Sequence, residues 1–416
     1  MTKEKARAIL VDVIDLETTK QEAEKRMEEL ESLIGTYGGV AVVKAIQRRG
    51  VPDYETYIGK GKVKEIHQLA EEEQVNLLII NNLLKPRQIY ELGEKFRDIK
   101  VKVWDRVDLI LKIFDKHAKS SQAKLQIELA SIRHMGPRIY GMGEELMQQT
   151  GAMGQRGGQG ETNVEMMKRH LRKQELSILK KLEHYQLIDE GHRKRRRRQN
   201  LKTVALVGYT NAGKSSLLNA LTNKDIYIAD ELFATLSTRV GKLYIQPDKQ
   251  VDEEGKYIPG KEVLISDTIG FIRDLPPSLI EAFKSTLAET VEADTILHVI
   301  DISDPDLERK IKVVEEILDQ LGLKDRRKVY IFNKVDLIAP RSVFDEEAPE
   351  LKRRGLIKAG KNTVELLGWS QGKNRDKALA KMKKLAKEYQ EFTPIFVSAH
   401  ERMNLEALIA KLNELA

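Results

Sequence analysis

The sequence predicts an α/β fold in three parts: a small parallel-sheet α/β domain, an antiparallel helical hairpin, and a second α/β domain built on a phosphate-binding loop. Three observations carry this. The first is an apolar run (Val204–Val207) followed by Gly208-Tyr209-Thr210-Asn211-Ala212-Gly213-Lys214-Ser215 and then Ser216-Leu217-Leu218-Asn219-Ala220-Leu221. That order, strand, then GxxxxGK[ST], then helix, is the context a P-loop requires. The second is the alternation of short apolar runs with helical spacings over the first 115 residues, which reads as a largely parallel sheet. The third is a pair of seven-residue apolar repeats between the two α/β parts.

Length and composition set the bounds. The chain has 416 residues, 41% hydrophobic and 32% charged, which leaves room for two or three cored domains. Its net charge of +7 favours an acidic partner, with nucleic acid first and an anionic membrane second. It has no cysteine, which excludes disulfides and thiolate metal sites. The start, Met1-Thr2-Lys3-Glu4-Lys5, is charged and no apolar run approaches a membrane span. A cytoplasmic protein is expected, with the membrane surface as the other place where its basic charge could be used.

In the first part (1–115), strands are expected over 9–16, at Val40–Val43, over 76–80 and at Val101–Trp104, with helices over 17–34, 61–74 and 86–96. Gly59-Lys60-Gly61-Lys62 opens one of these helices and either holds a phosphate or is a basic helix entry. A long helix is expected over 106–135, where Ala118, Leu125 and Ile132 recur every seven residues and Leu129 fills in. A second, over 161–190, repeats Val164, Leu171, Ile178 and Tyr185. These two make the hairpin (116–192). Residues 136–160, rich in Gly, Gln and Arg, are expected as its tip loop, with Arg138 and Arg156 placed to meet RNA phosphates. Arg193, Lys194, Arg195, Arg196, Arg197 and Arg198 cannot pack together, so 193–200 reads as a basic linker that wants a polyanion or solvent.

The last part (201–416) carries five ordered signals. Gly208 and Gly213 let the P-loop curl its N–H groups inward, Lys214 reaches the β- and γ-phosphates, and the Ser215 hydroxyl ligates Mg²⁺, with Ser216 beside it. Phe233-Ala234-Thr235-Leu236-Ser237-Thr238-Arg239 supplies a threonine that senses the γ-phosphate through Mg²⁺; Thr235 is the choice and Thr238 the alternative. Asp267-Thr268-Ile269-Gly270 ends an apolar strand, giving a carboxylate behind the metal and an N–H for the γ-phosphate. Asn333-Lys334-Val335-Asp336 follows a further strand. There Asp336 accepts from guanine N1–H and its exocyclic amine, Asn333 ties the base loop to the P-loop, and the Lys334 stem covers the base. Ser398-Ala399-His400 follows the last strand, with the Ala399 N–H aimed at guanine O6. Together these predict a Ras-like P-loop GTPase domain that binds GTP or GDP with Mg²⁺, and Lys214, Thr235 and Gly270 are the residues expected at the reacting phosphate.

Phe271 stands where a glutamine would orient the attacking water, so slow intrinsic hydrolysis and activation by a partner are expected. Residues 339–372 read as an insertion, and Lys373, Lys377, Lys381, Lys383, Lys384 and Lys387 decorate a helix after it.

Taken together, the chain resembles the HflX GTPases, of the Obg–HflX branch of translation-factor-related GTPases. The resemblance rests on Tyr57-Ile58-Gly59-Lys60-Gly61-Lys62, Trp104-Asp105-Arg106, Lys124-Leu125-Gln126-Ile127-Glu128-Leu129-Ala130, Arg156-Gly157-Gly158-Gln159-Gly160-Glu161-Thr162 and Phe233-Ala234-Thr235-Leu236. Gly158-Gln159 departs from the family's Arg-Gly-Pro-Gly-Glu-Thr tip. The resemblance implies a GTPase that binds the large ribosomal subunit and its rRNA, splits or rescues stalled ribosomes under stress, and is stimulated by the ribosome. It would be a monomer when free, without stable membrane insertion. The competing readings are an RNA- or membrane-associated GTP-binding switch with little turnover.

Overall fold

The computed structural model describes residues 5–415 except 119, 151–157, 199–200, 223–238, 247–259, 269, 274, 277–278, 281–287 and 339–372. Its contacts divide the chain into two units, Met1–Gln186 and Leu187–Ala416.

In the first unit, strands β1 (Arg7–Ile14), β2 (Val40–Arg48), β3 (Leu77–Ile80) and β4 (Lys102–Asp105) form a wholly parallel sheet in the order β2-β1-β3-β4. β1 is an inner strand, and its apolar run, interrupted by Asp12 (paired with Arg26 at 2.8 Å), is buried from Ala8 to Ile14 because both of its faces are covered. Ile9, Val11 and Val13 pack with Val63 and Ile66 of α2 (Lys60–Glu72) and with Leu92 of α3 (Pro86–Lys95). α1 (Lys20–Tyr37) and α4 (Arg106–His117) complete the unit's α/β layers, and both contact the sheet. Thr19 caps α1 by accepting from the Glu22 N–H at 3.2 Å, and Gly38 ends it at φ 95°.

The long helix expected over 106–135 is broken. Ala118 is extended (φ −67°, ψ 111°), and a new helix, α5, starts at Ser121. α5 then runs to Thr150, and α6 runs from Gly158 to Arg198. So most of the expected loop 136–160 is helix. Its glycines cost about 1 kcal/mol each, but Ile139, Met142, Glu144, Glu145, Leu146 and Met147 between them favour the helix already under way. The basic run is likewise the last turns of α6 rather than a linker. Where described, the two helices run antiparallel: Arg133 bonds Glu175 at 2.9 Å, and Leu129 packs with Ile178 and Leu182. Leu125 and Ile132 flank that seam as expected.

In the second unit, β5 (Lys202–Val207), β6 (Arg239–Ile245), β7 (Lys261–Asp267), β8 (Thr295–Asp301), β9 (Lys328–Asn333) and β10 (Ile395–Phe396) form one sheet, order β10-β9-β8-β5-β7-β6. Only β6 is antiparallel to its neighbour. One core holds Leu217 and Leu218 of α7 (Lys214–Thr222) and Leu408 of the C-terminal helix (Leu405–Leu415) against Leu206, Ile265 and Leu297. The other packs the helix Leu307–Gln320 and the basic helix Lys373–Glu388 through Ile311, Met382 and Leu385 against Ile300 and Phe332. The functional loops therefore leave the carboxyl ends of β5, β7, β9 and β10 on one rim.

Candidate functional site

β5 delivers the chain into the P-loop at full burial, and two glycines make the turn possible. Gly208 has φ 154°, and a Cβ there would lie 2.2 Å from the Val299 carbonyl oxygen on β8. Gly213 has φ 89°, and a Cβ there would lie 2.2 Å from Asn333 Nδ2. Only glycine fits either position. Asn211, half a turn earlier, takes φ 61° with an exposed side chain.

Lys214 is buried at the start of α7, and its ammonium donates to the carbonyls of Gly208 (3.1 Å) and Tyr209 (2.9 Å). Burial pushes its pKa down to about 8, and the Asp267 carboxylate only partly restores it. A phosphate would restore the charge. Nucleotide affinity should therefore fall as pH rises above about 8, by up to about tenfold per unit, because binding then has to take up a proton. Titrations between pH 7 and 9 check this; a flat profile means the ammonium keeps its proton without ligand.

Ser215 Oγ donates to Asp267 Oδ2 at 2.6 Å, so the two predicted Mg²⁺ residues, from α7 and the end of β7, are brought together. Gly270 is pressed against the P-loop: a Cβ there would lie 2.9 Å from Lys214 Nζ and 2.8 Å from Thr210 Cγ2. Next to it, the Thr210 N–H donates to Phe271 O (2.8 Å) and the Phe271 N–H to Gly208 O (3.1 Å), a short parallel bridge. The Phe271 ring itself is buried. Tyr209 also serves this joint: its hydroxyl accepts from the Arg273 N–H at 2.7 Å, and its ring lies under Lys310. Phe233, Thr235 and Thr238 lie outside the described residues, as does Arg156.

At the other end, Asn333 joins three loops. Its Nδ2 donates to Ala212 O on the P-loop at 2.9 Å, and its Oδ1 accepts from the Ala399 N–H at 2.9 Å. The first bond is as expected. The second corrects the expectation for Ala399, whose N–H is engaged within the protein rather than aimed at guanine O6. Ser398 is buried, its hydroxyl accepting from the Glu401 N–H, while His400 is exposed beside Glu401. Lys334 adopts φ 63° and its ammonium pairs with Asp301 at 2.8 Å, which anchors its stem at the end of β8. Asp336 Oδ1 is buried with no hydrogen-bond partner among the described residues. A shielded carboxylate oxygen without a donor fits the amine and N1–H of guanine.

Arg138 is a correction. Expected at an RNA phosphate, it is buried partway along α5, against the start of α4. It donates to Asp105 Oδ2 (2.6 Å) and to both oxygens of Asp108 (2.9 and 2.7 Å). Those two carboxylates already form a reciprocal cap on α4, each accepting the other's N–H. His134, one turn before Arg138, completes the cluster. Burial opposes its charge, but hydrogen bonds to Asp105 and Asp108 raise its pKa. Asp108 stays below its ordinary value: burial works against this, and His134 and Arg138 outweigh it. The sequence signal that could have found the cluster is Asp-x-x-Asp opening an apolar helix, two carboxylates that need a cation. Arg138→Leu should cost about 3–5 kcal/mol, because it leaves buried charge uncompensated; thermal unfolding checks it, and a change under 1 kcal/mol would contradict the pairing. Of the basic run, Lys194, Arg195 and Arg198 are exposed on α6.

Among the described residues no helix is long and apolar enough to cross a membrane. Comparison with known proteins places this geometry. A family described as GTP-binding GTPase N-terminal matches residues 24–115, one described as GTP-binding GTPase Middle Region matches 117–196, and one described as 50S ribosome-binding GTPase matches 203–334. The GTPase HflX of Caldanaerobacter subterraneus is 40% identical over 366 residues, 88% of this chain and 79% of that one. The Escherichia coli GTPase HflX is 36% identical over 77% of this chain and 72% of its own. The Methanocaldococcus jannaschii GTPase HflX is 37% identical, covering 77% and 76%.

Proposed function

The chain belongs to the HflX family of GTPases, and from that premise we propose that it binds the large ribosomal subunit and uses subunit-stimulated GTP hydrolysis to split or rescue stalled ribosomes. GTP binding and hydrolysis come with the family. The observation that carries the partner-dependent part is Phe271. Its ring is buried and its backbone is bonded to the P-loop, so the position that would orient an attacking water offers no polar side chain. Something outside the described residues has to supply that group, and a partner is the economical source.

In this reading Asp336 selects guanine, Asn333 sets the distance between base and phosphate loops, and Lys214 neutralises the β- and γ-phosphates. The Gly270 N–H meets the γ-phosphate, and the P-loop amides share the charge that develops on the β–γ bridging oxygen and β-phosphate as GDP leaves. Ser215 and Asp267 fit Mg²⁺, since a hydroxyl and a carboxylate already 2.6 Å apart form a hard oxygen pair. When bound, the ion would neutralise phosphate charge. Thr235 is the proposed second sensor of the ion and the γ-phosphate. Arg156 and the basic end of α6 are proposed to meet rRNA.

The test is GTP turnover by the full chain alone and with purified large ribosomal subunits. Strong stimulation supports the reading. A slow rate unchanged by subunits would overturn it and favour a GTP-binding switch with little turnover.

A further inference from the structure

We propose that the shaft of the helical hairpin carries a second RNA site, a basic groove between α5 and α6 that holds a phosphodiester backbone. This deepens the ribosome-binding reading and rests on it, but uses none of the residues assigned above.

The groove is about 690 Å³ and lies wholly within the first unit. Lys124 and Ser121 line it from α5; Lys180, Lys181 and Ser177 line it from α6. These are faces set by helical spacing: 121, 124, 125 and 128 on one helix, and 177, 180, 181, 184 and 185 on the other. Leu125 supplies an apolar floor, with Tyr185 beside it, and Glu128 is the single acid.

What sets this groove apart is the convergence of three lysines from two different helices on one wall. Lys124, Lys180 and Lys181 are exposed and make no ion pair with the described residues. Like charges held together without counterions cost energy that a bound anion would recover. The stripe also continues. Lys173 and Arg169, four and eight residues before Ser177 on α6, are exposed on the same face, and no acid falls in that row between Arg169 and His184. A row of cations along a stiff helix tracks a chain of phosphates better than it encloses one small anion. The α5 N-terminus at Ser121 opens beside the groove and adds partial positive charge. Lysines, serines and one aromatic ring offer no fixed fork for base edges, so the contact should be to backbone and indifferent to sequence.

The experiment uses the full chain and a short fluorescein-labelled RNA duplex, with the dissociation constant measured across a salt series. Lys124→Ala, Lys180→Ala and Lys181→Ala are combined. A control of equal charge loss combines Lys64→Ala, Lys112→Ala and Lys324→Ala, all exposed and outside the groove. The groove set should weaken binding by about tenfold or more, equally for unrelated sequences, and should lower the slope of log affinity against log salt by about one per lysine. Arg at the same three positions should restore both. The melting temperature and subunit-free GTP turnover should stay as in the parent. A groove set matching the parent, or a control set that weakens binding as much, would overturn the proposal. So would competition by inorganic triphosphate alone at concentrations that leave RNA bound to the control set, since that would make it a small-anion site. Failure of large subunits to stimulate the parent's GTP turnover strikes the ribosome reading instead, and is measured separately.

Discussion

Asp336→Asn should exchange guanine for xanthine. The carboxylate presents a buried oxygen without a donor among the described residues, and guanine supplies two N–H groups to it. Losing the charge from two such bonds costs about 3 kcal/mol, or about a hundredfold in GTP affinity. Xanthine carries a carbonyl where guanine carries the amine, so the Asn amide can donate to it while still accepting from N1–H. Xanthosine triphosphate should therefore bind and turn over where GTP does not. The measurement is a pair of titrations with the two triphosphates. An unchanged preference for GTP would remove Asp336 from base recognition.

Gly213→Ala should disable the site from its middle. The new methyl would sit 2.2 Å from Asn333 Nδ2 at a backbone φ of 89°. The left-handed conformation alone costs about 1–2 kcal/mol. The clash adds to this, because the amide it displaces holds both Ala212 and Ala399. Nucleotide affinity is expected to fall by more than about a hundredfold, together with a lowered melting temperature. Gly322→Ala is the control: φ is 74° there, but a Cβ meets nothing within 4 Å. It should show the backbone cost without the loss of nucleotide. Equal nucleotide losses at both positions would mean that the contact with Asn333 is unimportant.

What the sequence revealed and what it hid divide along a physical line. The P-loop, Ser215 with Asp267, and Asn333 with Ala212 were legible because each motif carries its own local geometry, strand end, tight turn and helix start, and the parallel sheet fixes where those ends meet. Arg138 was hidden because its meaning lies in Asp105 and Asp108, some thirty residues earlier, and nothing in a Gly- and Arg-rich stretch shows that a cation is already claimed. The Ala399 amide was misread for a related reason: its acceptor, Asn333 Oδ1, is a side chain from a different loop. The break at Ala118 escaped because the seven-residue apolar rhythm runs through it without change, while the backbone of Ala118 itself turns extended. The groove lysines were passed over for a third reason. Each is unremarkable alone, and only the pairing of two helices brings them to one wall.

The bridge between Tyr209 and Phe271, closed by the Thr210 and Phe271 amides, makes the segment's movement visible from the main chain. Two main-chain amides, one on each side, close it. Any rearrangement that carries the segment after Gly270 away from the P-loop must open both at once, exposing their protons to solvent together. Deuterium uptake at those two positions would then follow the conformational cycle directly, without a label and without a substrate analogue.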